Sequence, residues 1–197
     1  MKIAKIVKSN SHVDYVARVL DRLDSAEAPA PDHYRFGQFV RVLANGAGAV
    51  GLIYNSQLIN PEYDRLGPRL SSSAPMNAVF SPDLIDEQGV LLGVLLIGWI
   101  DEQRAWHQGM PPAVIPVNSE IMTMDEDEVM QFHRDRQGRI ALRYYSQVIT
   151  HAHQFAPQLL LSVLDQLEYL FEETSKSEIA LLRRTLNWQL VMQTRQL

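Results

Sequence analysis

Cysteine is absent from all 197 residues, so disulfides, thiolate nucleophiles and thiolate metal ligands are excluded, and no oxidising compartment is implied. Lysine is scarce. The chain has Lys2, Lys5, Lys8 and Lys176 and none between Ser9 and Ser175. A phosphate-gripping or Schiff-base lysine therefore cannot sit in its middle. No glycine is followed by lysine, which removes the phosphate loop Gly-x-x-x-x-Gly-Lys. Long apolar runs are missing too: the longest, Gly89 to Ile100, has 12 residues and is interrupted by Gly93 and Gly98. A bilayer span needs roughly 20. Met1 to Lys8 contains no continuous apolar stretch of a leader, so the expected location is the cytoplasm, with no membrane partner.

What is present describes a folded chain with 46% hydrophobic residues and a formal charge of −5. That balance argues against a protein whose main work is holding a polyanion, because backbone binding needs a concentrated basic surface.

The most informative stretch is Phe36 to Ile59. Phe39, Val40 and Val42 lead to Asn45-Gly46, which suits the positive φ angles of a tight turn, and Val50, Leu52 and Ile53 resume the apolar pattern. His12 to Leu20 alternates as a half-buried strand through Val13, Tyr15, Ala17 and Val19. Ala28-Pro29-Ala30-Pro31 interrupts regular pairing, and Asn60 to Pro75, with its prolines and serines, reads as a long excursion. Pro82 to Ile85 suggests a short strand or helical turn. Val90 to Ile100 has so few polar residues that both faces of this strand are expected to be covered.

Gly109 to Pro116 is a proline-rich connection. A short helix is expected over 124–137, opened by Thr123-Met124-Asp125-Glu126 as a capping box and closed by Gly138. Ile140, Leu142, Tyr144, Ser146 and Val148 recur at period two and predict another strand. From Pro157 the spacing is helical. Leu160, Val163, Leu164, Leu167, Leu170 and Phe171 share a face, Ser175 to Glu178 forms a second capping box, and Ile179, Leu182, Leu186 and Leu190 continue a second helix. The expected fold is α+β: a small N-terminal antiparallel β-barrel over 1–150, then an αα-hairpin over 155–197.

The order of elements, with Gly37-Gln38-Phe39-Val40-Arg41-Val42, Val50-Gly51-Leu52-Ile53 and Pro111-Pro112 leading to Val117-Asn118-Ser119-Glu120-Ile121, resembles the HAS barrel over roughly residues 10 to 135. That domain precedes the motor of HerA-type ATPases and of rotary ATP synthase catalytic subunits. The resemblance implies such a barrel without its ATPase, since the phosphate loop is missing.

Candidate chemistry is sparse. His151-x-His153 has a spacing usable for a metal if extended, with His133 or an acid as a third ligand, but a polar junction explains it more simply. Asp125 to Glu128 suit the first turn of a helix, where negative charge meets the macrodipole, better than a cation site. Arg134, Arg136, Arg139 and Arg143 with Tyr144 and Tyr145 form the one basic stretch with aromatics, able to contact phosphates and stack a base. No nucleophile elbow or catalytic constellation stands out, and no cofactor is expected. Leu160, Leu164, Leu167, Phe171, Leu182, Leu186, Trp188 and Leu190 are the expected interface residues. The leading expectation is a non-catalytic oligomerisation or docking module, working as a homo-oligomer or with a protein partner. The alternative is an accessory subunit of a DNA-processing or other P-loop motor, touching nucleic acid through Arg134 to Tyr145.

Overall fold

The computed structural model describes residues 1–22, 24–25, 27–44, 47–59, 89–171 and 179–184. The described residues form seven strands: β1 Lys2–Ser9, β2 Asp14–Val19, β3 Phe39–Ala44, β4 Ala47–Ile59, β5 Gly89–Ile100, β6 Trp106–Gln108 and β7 Glu120–Thr123. All pairings are antiparallel. The order β2-β1-β7-β3-β4-β5 closes on itself through β2–β5, giving a six-stranded barrel, and β6 extends it on β5. Closure removes the unpaired edges that an open sheet would present. The expected α+β barrel followed by C-terminal helices is the fold observed.

Two ends of β5 share one edge. Residues 91–95 pair with β2, and residues 98–100 pair with β6. Register assigns the faces: Val40 opposes Gly51 and Val42 opposes Ile121, all pointing into the barrel, while Phe39 opposes Leu52 and Arg41 opposes Val50 on the outside. The interior is tight, for a Cβ on Gly51 would lie 2.7 Å from Val94 Cγ1.

Three helices cover part of the outer surface: α1 Glu126–His133, α2 Tyr145–His151 and α3 Ala156–Leu170. Leu159, Leu160, Val163, Leu164 and Leu167 of α3 are fully buried, in the same apolar cluster as Phe39 and Leu52. Each such side chain contributes roughly 2 kcal/mol by leaving water. Gln166 fixes the docking by donating from Nε2 to the Gly37 carbonyl at 2.8 Å. Gly37 has φ +79°, and a Cβ there would overlap Ser162 Oγ. Residues 179–184 are helical and return to α3, where Arg183 Nη2 meets Asp165 at 2.7 Å and Glu168 at 2.8 Å.

Several sequence expectations need correction. The period-two strand over Ile140 to Val148 is instead a turn followed by α2, because Tyr144, Val148 and Ala152 bury at intervals of four and fit a helix face equally well. The cap of α1 is Asp125, not Thr123: Asp125 Oδ1 accepts from Glu128 N at 2.8 Å, and Glu128 Oε2 accepts from Asp125 N at 3.2 Å. Gly138 does not end that helix, which stops at His133; with φ +78° it serves the turn opened by Asp135. Strand β1 was not anticipated, since irregularities between Lys2 and Ala4 and between Ile6 and Lys8 break its alternation. Ala44 pairs with Ala47 as a tight hairpin requires, while its turn Asn45-Gly46 lies outside the described residues. So do the Asn60 to Pro75 excursion, Pro82 to Ile85 and the Ser175 to Glu178 box.

Candidate docking surface

Sequence order carries Gly109 to Ser119 across one end of the barrel from β6 to β7. The eleven residues contain no charge. Hydrogen bonds to the barrel hold this loop at its ends, where Gly109 N donates to the Ile97 carbonyl at 2.8 Å and Ile6 N to the Ser119 carbonyl at 3.0 Å, and along its middle. His12 Nε2 donates to the Pro111 carbonyl at 2.8 Å, Ile115 N donates to the Tyr15 hydroxyl at 3.1 Å, and Asn118 N donates to the Ile6 carbonyl at 2.9 Å. Pro111 and Ile115 are thereby turned inward and buried. Met110, Val114 and Val117 point out and are 55%, 68% and 60% exposed. Surface loops are ordinarily polar and mobile. This one is apolar, proline-braced and pinned to buried groups.

A second surface follows α1. Asp135 organises a turn by accepting from Gln137 N at 2.8 Å and Arg139 N at 2.9 Å, contacts that hold its carboxyl below the usual range. Gln108 of β6 pins the far side, donating to the carbonyls of Phe132 and Ala141 and accepting from Arg143 N at 2.7 Å. The result is a shaped loop from which Arg134, Arg136, Arg139 and Arg143 are exposed. Arg134 lies 5.5 Å over the Phe171 ring, and Arg139 meets Asp135 at 3.3 Å. Tyr144 is removed from this surface. It is wholly buried, so its ring cannot meet a base.

Beneath the arginines lies the most enclosed polar pair. His133 Nδ1 faces the Val129 carbonyl at 2.8 Å, and its Nε2 faces the Tyr144 hydroxyl at 2.7 Å. A carbonyl only accepts, so Nδ1 carries the proton and Nε2 accepts from Tyr144, an arrangement that satisfies a neutral imidazole. Phe39, Phe132 and Tyr144 pack around that ring at centroid distances of 5.1, 5.0 and 5.7 Å. Burial lowers the His133 pKa to about 4 and raises that of Tyr144. With neither residue accessible to a substrate, the pair acts as a latch between α1 and α2.

Another pair, not singled out by sequence reasoning, closes the β5–β6 hairpin. His107 Nε2 lies 2.7 Å from Asp101 Oδ2, and its ring stacks on Trp99 at 5.0 Å and 14°. Asp101 also accepts from Ala105 N at 2.8 Å, and its carboxyl sits below the usual range chiefly through the bond to His107. A histidine six residues after an aspartate, across a hairpin with no glycine in between, gives only a faint sequence signal.

The remaining candidates distribute as follows. His151 ends α2 and His153 begins a 3-10 turn at φ +47°, so the extended pairing needed for a shared metal is not formed. Among the described residues, no three His, Asp or Glu side chains gather in a way that could hold a metal ion. Asp125 and Glu128 are used in the cap, and Glu128 also meets Arg41 at 2.5 Å. Leu160, Leu164, Leu167 and Phe171 are buried within the chain, and Leu182 is half-buried against the same core, so these side chains are not free to meet a partner. Leu186, Trp188 and Leu190 lie outside the described residues. No helix among the described residues is long and apolar enough to cross a membrane.

A closed six-stranded antiparallel barrel, braced by helices on one side and capped by an apolar loop, defines the class of protein. The chain matches DUF8166, described as a domain of unknown function, over residues 1–195, and it belongs to that family. No curated protein matches it.

Proposed function

We propose that the chain is a non-catalytic docking module, a barrel that oligomerises or holds a protein partner, working in the cytoplasm. The observation that carries this reading is the Gly109–Ser119 loop: uncharged, apolar outward and already ordered by His12, Tyr15 and Ile6. A loop pre-shaped in this way loses little entropy on association, so its exposed valines and methionine can contribute most of their burial to binding. The HAS-type resemblance belongs to the same reading, as a mounting barrel without its motor, and six-strand closure supports it.

The test compares the native chain with a Val114→Glu/Val117→Glu double variant by light scattering and by hydrogen exchange. The expected result is an assembly, of copies or with a co-purifying protein, in which residues 109–119 gain exchange protection and which the double variant loses. A native chain that forms no assembly would overturn the reading, and an assembly in which the loop exchanges freely would take the contact away from this loop. The accessory-subunit reading retains the four exposed arginines as its support and no longer has Tyr144 as a base platform.

A further inference from the structure

Helix α1 carries opposite charges at its two ends. Glu126 and Asp127 are exposed in its first turn, and Arg134, its C-cap, and Arg136 are exposed just beyond its last residue, His133. Eight residues separate the ends by roughly 12 Å at 1.5 Å per residue. Among the described residues, Glu126, Asp127 and Arg136 make no ion pair, while the neighbouring Asp125 and Glu128 are used in the cap and by Arg41. Between the ends, the half-buried Met130 and Trp106 supply an apolar centre, with Gln131 Oε1 accepting from Trp106 Nε1 at 3.3 Å.

We propose that α1 is a self-complementary interface on which a second copy of this chain docks with its own α1 antiparallel, about a two-fold axis. The symmetry follows from the charges. An antiparallel α1 places the acidic turn of each copy beside the arginines of the other, satisfies both ends at once and sets the two apolar centres against each other. A parallel arrangement would bring like charges together at both ends. Two-fold closure is also the commonest symmetry of soluble oligomers, and it uses one patch twice. The contact is electrostatic at its ends and small, so it should form readily at low ionic strength and weaken as salt is raised. This inference rests on the docking reading but not on the Gly109–Ser119 loop, which uses different residues.

The experiment uses two charge-reversed full-length chains, one with Glu126→Arg and Asp127→Arg, the other with Arg134→Glu and Arg136→Glu. Light scattering at about 100 μM and low salt should report a dimer for the native chain and a monomer for each variant alone. A one-to-one mixture should recover the dimer, since an all-basic α1 then faces an all-acidic one. Recovery in the mixture also shows that neither variant had simply failed to fold. A monomeric native chain, or a native dimer that persists in both variants, would overturn the proposal. So would a dimer lost only in the Val114→Glu/Val117→Glu chain, a result that would leave the docking reading standing. Failure of the mixture to dimerise, together with loss of single-stranded oligonucleotide binding in the arginine variant alone, would assign the arginines to nucleic acid instead.

Discussion

The two halves of the barrel wall solve the same folding problem differently. In β2 every second side chain is buried, with Tyr15, Ala17 and Val19 inside and Val16 and Arg18 half-exposed, and the neighbouring β1 and β7 leave Lys5, Glu120 and Met122 half-exposed. In β4 and β5, residues 49–54 and 94–98 are buried without a break, because the helices cover the outer face that the first half leaves to water. The difference teaches how an apolar run should be read: continuous apolarity marks a strand covered on both faces, and alternation marks a strand covered on one. It also places the chain's sensitivity to change on the covered side.

The largest test of that contrast is Gly98→Val. Gly98 points outward, where an added Cβ would lie 2.5 Å from Phe132 Cε2 and overlap the His107 carbonyl. The expected loss is about 4 kcal/mol, placing it among the exceptional single substitutions, with β6 and α1 forced off the wall. Urea unfolding measures it, and a loss below about 1 kcal/mol would mean that α1 is not packed as described.

A smaller effect comes from acid. His133 has a folded pKa of about 4 against 6.5 for the free side chain, so the unfolded chain binds the extra proton first as pH falls. The stability it contributes is complete above pH 6.5 and declines as pH drops toward 4, by about 3 kcal/mol in all at 1.36 kcal/mol per unit. A His133→Gln chain should lose the part of the decline that falls between pH 6.5 and 5, above the carboxylate range. Identical pH profiles for the two proteins would remove the latch from the account.

The smallest effect belongs to the open wall. Lys5 sits opposite Arg18 and Glu120 with its side chain half-exposed, and Lys5→Gln should change stability by no more than about 0.5 kcal/mol. A loss comparable to that of Gly98→Val would show that the two walls are not different in kind.

Much of this wall was readable before the structure. Val90 to Ile100 announced a doubly covered strand, His12 to Leu20 a singly covered one, and Leu160 to Leu167 a helix with a broad apolar face. The candidate surfaces were less legible. The Gly109–Pro116 segment reads as a connection because its exposure depends on which prolines and valines turn inward, and that is settled by His12 and Tyr15, about 100 residues away. Tyr144 illustrates the same limit, since nothing local distinguishes a tyrosine available to a ligand from one whose hydroxyl serves a buried histidine.

Local chemistry alone determined the barrel strands β2, β3, β4 and β5, the helical periodicity of α3, the absence of thiol and phosphate-loop chemistry, and the acidic and basic ends of α1. Those properties reside in neighbouring residues, within one turn or one strand of each other. Tertiary structure decided which period applied at Tyr144 and Val148, which acid capped α1, how the barrel closed and which apolar residues stayed exposed. Each of these depends on partners distant in the chain, and their energies are gained only when the pieces meet.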